Sequence, residues 1–280
     1  MASPEADPTA LGGNGPLDSE SLSPAVKRAA GILHLLAENG GLPAGPSELA
    51  RRLGLPKSSI ANISGALADT GLLRRVGTRF ALGRTLAELG GAYMATVDEV
   101  HEFYELCPEL RSASEETVQL AILDGVEMTY LARHDGQQPV RLTSQIGRRL
   151  AASHTATGKA ALATLDDEEV RRRFEGRRPT VMTSRSHLTV EALIEDLAVV
   201  RRRGYAIDDE ETVEGVVCYG VSIRARRPGE GPYAASITLL KVRATDQRER
   251  LLVADLRLLQ ARLSDPLRAY LRDGGNARSR

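Results

Sequence analysis

The chain is 280 residues long, enough for two modest domains that each bury a core. Its 37 Lys and Arg balance 37 Asp and Glu, so the average charge gives no reason to expect a nucleic-acid partner. Cys107 and Cys218 stand far apart, no apolar run approaches the roughly 20 residues of a membrane span, and the first residues lack the basic stretch and apolar core of a secretory signal. These features argue against a disulfide framework, a membrane span and export; the expectation is a soluble, cytoplasmic protein.

Residues 1–22 are rich in Pro, Gly, Ser and Asp and carry few large apolar side chains, so they are expected to be disordered, as is the tail 269–280. Order begins at Ser23-Pro24, a cap followed by proline at the first helical position. Val26, Ala29, Ala30, Leu33, Leu36 and Ala37 then recur at helical spacing until Asn39-Gly40-Gly41. Ser47 is expected to cap a second helix that ends at Gly54. A third starts near Pro56-Lys57-Ser58, buries Ile60, Ile63 and Leu67, and ends at Gly71. Leu72–Val76 and Arg79–Leu82 are short extended runs around a Gly-containing turn, which predicts a β-hairpin. Three helices followed by a two-stranded ribbon make a winged helix-turn-helix over 23–83.

From Arg84 to Leu106, Leu86, Leu89, Tyr93, Met94, Val97, Val100 and Tyr104 form one apolar stripe, read as a single linker helix over 84–106 whose stripe is either a dimer seam or a face packed on its own domain. The remainder, 107–268, mixes strands and helices. Thr117–Leu123 and Met128–His134 alternate around Asp124-Gly125, a strong hairpin turn. Helices are predicted over 155–164, 166–174 and 189–203, strands over Val216–Ile223 and Tyr233–Lys241, and a last helix over Asp246–Ser264. An antiparallel sheet with helices on its faces is the α+β pattern of many small-molecule sensor domains.

Charge is distributed unevenly. Residues 20–84 hold nine cations and four anions, whereas residues 85–110 hold six anions and no cation. One region suits an anionic partner and the next does not.

Six stretches, in order, carry a family resemblance: "GPSELARRLGLPKSSI", "TGLLRRVGTRFALG", "ETVQLAILDGVEMTYLAR", "IGRRLAASHTATGKAALA", "RRRGYAIDDEETVEGVVCYGVSI" and "AASIT". Over residues 23–265 the chain resembles the IclR family of bacterial transcriptional regulators. The resemblance implies a DNA-binding winged helix joined by a linker helix to a GAF-like effector domain. It further implies a homodimer or homotetramer on a palindromic double-stranded operator, answering a small metabolite such as a carboxylate or aromatic acid. Repression is favoured over activation, and no cofactor is implied.

On the third helix, at about 100° per residue, Ser58, Ala61, Asn62, Gly65 and Asp69 fall opposite Ile60, Ile63 and Leu67. That outward face is small and polar. Asn62 can bridge adenine, Ser58 and Ser59 can donate to phosphate, and Gly65 leaves room for close approach. Lys27, Lys57, Arg74, Arg75 and Arg79 are the expected phosphate contacts. The family often carries His-Arg where this chain has Ala61-Asn62.

For the effector, the resemblance implies Thr155, Ala156 and Thr157 at a helix start, Asp208, Cys218, and Ser236 with Thr238. A helix N-terminus favours an anion, and Ser236 and Thr238 share one face of a strand. At Ala152-Ser153-His154 the family usually shows Leu-His-Ala, so the histidine is displaced by one position. Arg171-Arg172-Arg173 and Arg201-Arg202-Arg203 are read as solvated helix ends that complement the dipole.

Two other readings stay open at this level. The winged helix could serve protein contacts alone, in a sensor module that does not bind DNA. Alternatively, Cys218 could be a nucleophile with His154 as base and Asp208 as orienter. Against catalysis, Cys218 sits inside a strand with no helix N-terminus to acidify it. The five histidines lie at least 20 residues apart, which gives no metal-ligand spacing. No enzyme activity and no metal are expected.

Overall fold

The computed structural model describes residues 23–140, 145–227 and 229–265, so both expected tails, 1–22 and 269–280, lie outside the described residues. The chain forms two compact units that divide between Tyr93 and Met94.

The first unit contains α1 (Pro24–Glu38), α2 (Pro46–Leu53), α3 (Lys57–Asp69), β1 (Leu73–Val76), β2 (Arg79–Leu82) and α4 (Thr85–Met94). Ile32 and Leu36 of α1, Leu49 of α2, Ile60 of α3, and Leu73 and Phe80 of the ribbon are buried together. Apolar residues at helical spacing on three helices thus meet one face of a hairpin. Helix α2 does not begin at Ser47: Gly45 is its N-cap and Pro46 takes the first helical position, where a missing N–H is harmless. It ends at Gly54, whose φ of 66° turns the chain so that Leu55 is buried and α3 can start two residues later. Helix α3 stops at Asp69, two residues short of Gly71.

The predicted single linker helix is absent. Helix α4 ends at Met94, and α5 (Asp98–Leu106) starts afresh after a break at Ala95-Thr96-Val97. The cause is packing: Val97, Val100, Phe103 and Leu106 insert into the core of the second unit. No residue of α4 is buried, and Leu89 and Tyr93 are 56% and 51% exposed. The acidic block also has local partners, since Arg226 donates to Glu102 at 2.6 Å and Arg227 reaches Asp98 at 3.4 Å.

The second unit adds β3 (Thr117–Asp124), β4 (Glu127–Asp135), β5 (Arg149–Ala151), α6 (Ala156–Leu162), α7 (Asp167–Arg173), α8 (Val190–Arg203), β6 (Ala206–Asp209), β7 (Val216–Ile223), β8 (Tyr233–Leu240) and α9 (Asp246–Ser264). The short strands β5 and β6 were not predicted. One six-stranded antiparallel sheet runs β5-β4-β3-β8-β7-β6. Side chains alternate across it. Tyr233, Ala235, Ile237 and Leu239 face α5 and α9, with Leu252, Leu256 and Leu259. Ala121, Leu123 and Ala234 face α6 and α8, with Ala161, Leu193 and Leu197. The result is helix–sheet–helix, with an apolar core on each side.

Two glycines let α6 approach the sheet. A Cβ on Gly158 would lie 2.2 Å from Ala152 Cα, and one on Gly220 would lie 2.6 Å from the Ala156 carbonyl oxygen. Both contacts are impossible, so Gly220 sets the height of the helix over β7 and Gly158 lets the turn after β5 fold back against the first turn of the helix.

Candidate functional site

The first unit presents the expected DNA-facing residues as follows. Lys57, Ser58 and Asn62 are exposed on the outward face of α3, and Ser59 and Gly65 are half-buried. Arg74, Arg75 and Arg79 are exposed on the ribbon, and Lys27 is exposed on α1. Ile60, Ser64 and Leu67 are the buried residues of α3, so its polar face is the free one. Arg79 donates to the Pro43 carbonyl at 3.2 Å, which orients its guanidinium while leaving further N–H groups for phosphate.

In the second unit, the α6 face of the sheet carries a polar row inside an apolar layer. Asp208, Cys218, Thr238 and Thr117 are side by side on β6, β7, β8 and β3. Next to it run Gly220, Ser236 and Gln119. The N-terminus of α6 closes over these rows. Thr155 caps that helix, accepting from the Gly158 amide at 3.1 Å. Between them, among the described residues, lies a small cavity of about 20 Å³, the space of one water.

Six of the seven expected effector residues line this cavity: Thr155, Ala156, Thr157, Asp208, Cys218 and Ser236. The seventh, Thr238, stands behind Cys218 and donates to its Sγ at 3.3 Å. Gln119, Tyr130, Leu150, Thr212 and Val216 complete the lining and were not anticipated. Tyr130 reaches Thr157, hydroxyl to hydroxyl, at 3.2 Å. Burial pushes the Tyr130 phenol up, so it remains a neutral donor. A roomier groove of about 730 Å³ lies beside Arg224, Gln260 and Ser264, but it is open and holds no comparable cluster of buried polar groups.

Asp208 lines the cavity and is also bonded to its own loop. Its Oδ1 accepts from the Glu211 and Thr212 amides at 2.8 and 3.1 Å, and its Oδ2 accepts from the Thr212 hydroxyl at 2.6 Å. The carboxylate therefore builds the loop that walls the cavity. Burial pushes its pKa up, against these hydrogen bonds.

That loop is anchored from behind. Lys159 of α6 is 1% exposed, and its ammonium contacts Glu211 as well as Asp196 of α8, the latter at 2.8 Å. His187 Nε2 lies 3.2 Å from the same Asp196 oxygen and 3.6 Å from Glu211. Burial opposes ionisation of Asp196, but His187 and Lys159 prevail and hold its pKa down at about 2. His187, Asp196 and Glu211 offer ligand atoms within 4.8 Å of one another, a grouping hidden by their separation in sequence. The Lys159 ammonium already supplies a cation there.

The nucleophile reading loses its chemistry at this site. Burial, and then the Asp208 charge, push the Cys218 thiol well up, so the thiolate is disfavoured. His154, lowered to about 4 by burial, bonds the Thr180 carbonyl through Nδ1 at 3.2 Å. The arginine runs pair locally: Arg173 binds Glu169 at 2.7 Å and Arg201 binds Asp167 at 2.7 Å.

Both units match domains of known proteins. The IclR helix-turn-helix domain matches residues 25–77, and the bacterial transcriptional regulator IclR C-terminal domain matches residues 91–264. The chain belongs to the IclR family of bacterial transcriptional regulators. Among IclR relatives, the HTH-type transcriptional regulator KdgR of Escherichia coli is 31% identical over 85% of this chain and 90% of KdgR. The solved Agobacterium tumefaciens repressor BlcR is 32% identical, covering 89% of this chain and 98% of its own, with a TM-score of 0.56. An IclR homologue from Microbacterium hydrocarbonoxydans, solved with 4-hydroxybenzoate, shares the fold at 21% identity and a TM-score of 0.70, over 85% of this chain and 98% of its own. The protein is therefore a DNA-binding transcriptional regulator with an effector domain. The similar proteins KdgR and IclR of Escherichia coli are transcriptional regulators. Among the described residues, no helix is long and apolar enough to cross a membrane.

Proposed function

We propose that the protein is a cytoplasmic repressor whose hold on DNA is set by a small carboxylate or aromatic acid bound between the sheet and α6. One observation carries this reading: hydroxyl, amide and phenol groups of Gln119, Tyr130, Thr157 and Ser236 converge, buried, at the start of a helix. Buried polar groups favour a polar occupant, and helix amide groups favour an anionic one. The bound 4-hydroxybenzoate of the Microbacterium homologue has the same chemistry. At about 20 Å³ the cavity holds a water and no more, so an acid enters by moving its walls.

On the DNA side, Lys57, Ser58, Ser59, Asn62 and Gly65 meet the major groove, while Lys27, Arg74 and Arg79 neutralise phosphates. A homodimer or homotetramer on a palindromic operator supplies two such faces. The exposed Leu89 and Tyr93 of α4 form its seam. Effector binding changes the relation between the paired winged helices, a coupling of two sites within one molecule.

Thermal-shift and gel-shift titrations with acetate, pyruvate, benzoate and 4-hydroxybenzoate test the effector reading. One of these acids is expected to raise the Tm and release DNA, with both effects lost in Thr157→Val and Ser236→Ala. An acid that acts undiminished on both variants places its site elsewhere. No response to any of the four counts against a small acid as effector.

A further inference from the structure

Helix α3 carries no Arg, Lys, Gln or His between Ser58 and Asp69. A recognition helix whose one long donor, Lys57, stands at its first residue reads few base edges along the rest of its length. The ribbon supplies what is missing. In β1, Arg74 and Val76 point to one face and Leu73 and Arg75 to the other, because side chains alternate along a strand. Leu73 is buried in the core shared with α3, and Arg75 is paired directly across the ribbon with Phe80, another member of that core. Arg75 is therefore on the helix side of the ribbon, and Arg74 and Arg79 are on the far side.

Its guanidinium is held by Phe80 and lies beside Gly65 of α3. The Arg75 Cζ lies 5.2 Å from the centre of the Phe80 ring, a cation–π contact. Its Nη2 lies 3.6 Å from the point where a Cβ on Gly65 would stand. Gly65 sits on the outward face of α3, roughly 60° around the helix from Asn62 at about 100° per residue. With no side chain at Gly65 there is open space beside the guanidinium; an alanine Cβ would meet it at ordinary van der Waals distance, and only a larger side chain would fill this seat.

We propose that Arg75 is a base-reading residue, lent by the ribbon to the recognition helix and seated by Gly65 and Phe80. A guanidinium presents two parallel donors that match O6 and N7 of guanine, and beside Asn62 it gives this surface a guanine-reading group next to an adenine-reading one. Arg74 and Arg79, on the far side, remain phosphate contacts. The proposal rests on the reading that the outward face of α3 meets DNA.

The test starts from a randomised duplex library enriched with the full-length wild-type protein. The recovered duplex and a scrambled control are then bound, over a range of salt, by wild type and by Arg75→Ala, Arg75→Lys, Arg79→Ala, Gly65→Leu and Asn62→Ala, each checked for wild-type circular dichroism. Arg75→Ala is expected to lose about ten- to a hundredfold on the recovered duplex and only a few-fold on the control. Repeating the enrichment with this variant returns a motif in which one guanine per half-site has become degenerate. Arg75→Lys fails to restore it, because an ammonium has no fork. Gly65→Leu, which fills the seat, reproduces the Arg75→Ala motif. Arg79→Ala weakens both duplexes alike and lowers the salt slope by about one. An unchanged motif with Arg75→Ala, or equal losses on both duplexes, overturns the proposal. If Asn62→Ala changes the motif while Arg75→Ala does not, only the role of Arg75 falls. If neither does, the DNA-facing reading of α3 falls with it.

Discussion

Lys159 of α6 and Glu211 of the β6–β7 loop form a buried ion pair, with Asp196 of α8 as the second carboxylate, so one ammonium ties the helix over the cavity to the loop that walls it. Lys159→Met keeps much of the volume but leaves two carboxylates with no ammonium between them. Breaking a buried pair from one side costs about 3–5 kcal/mol. Urea unfolding followed by circular dichroism should show that loss. A change below about 1 kcal/mol would mean that the carboxylates relax by taking up protons.

His154 gives the fold a dependence on acid. Its pKa is lowered by burial from 6.5 to about 4, so between these values the unfolded chain binds a proton that the native one does not. Stability from this group is complete above pH 6.5 and falls with pH down to about 4, by on the order of 3 kcal/mol in all. His154→Gln should flatten the curve across that window. An equally steep curve in the variant would assign the acid sensitivity to other groups.

The cysteines should be inert in the native protein. Burial pushes the Cys107 thiol up to about 12 and pushes the Cys218 thiol well up too. At pH 8, iodoacetamide should modify Cys107 about a thousandfold more slowly than a free cysteine and Cys218 slowly as well, and both should react once the chain is unfolded. Rapid native labelling at Cys218 would restore the case for a nucleophile there.

If α4 supplies the seam between copies, Leu89→Asp combined with Tyr93→Asp should reduce the sedimentation coefficient to that of a smaller assembly. Charges introduced into an apolar contact have no partner there. Unchanged sedimentation would move the seam to another surface.

Elements whose local signals agree with their packing were readable from the chain. Strand β7 and helix α9 have the predicted bounds because alternation in one and Thr245-Asp246 in the other coincide with what the core requires. The break at 95–97 was not readable. The apolar stripe from Leu86 to Tyr104 continues across it, and Gly90 and Gly91, the obvious breakers, remain inside α4. What ends the helix is the burial of Val97 in a distant core, a contact absent from local sequence. At the cavity, Thr155 to Thr157, Cys218 and Ser236 were reachable through motif and alternation. Gln119 and Tyr130 were hidden among the apolar residues of their strands, although Thr117 and Gln119, two polar residues on one strand face, were a usable signal. Thr212 and the anchoring of Glu211 depend on Asp208 bonding to its own loop, which spacing alone could not distinguish from a ligand contact.

The row of Asp208, Cys218, Thr238 and Thr117 also constrains how this sensor can change over evolution. A slip of β8 by one residue would drive the Ser236 and Thr238 hydroxyls among Leu252 and Leu256 and push Ile237 into the cavity. Each stranded hydroxyl would cost about 1–3 kcal/mol. The same polar atoms that suit a ligand therefore keep the central strands aligned, and exchanging them for apolar residues to favour a greasier effector would loosen the alignment. New ligand preferences are cheaper to reach at the rim, through Leu150 and Val216, which line the cavity and take no part in that row.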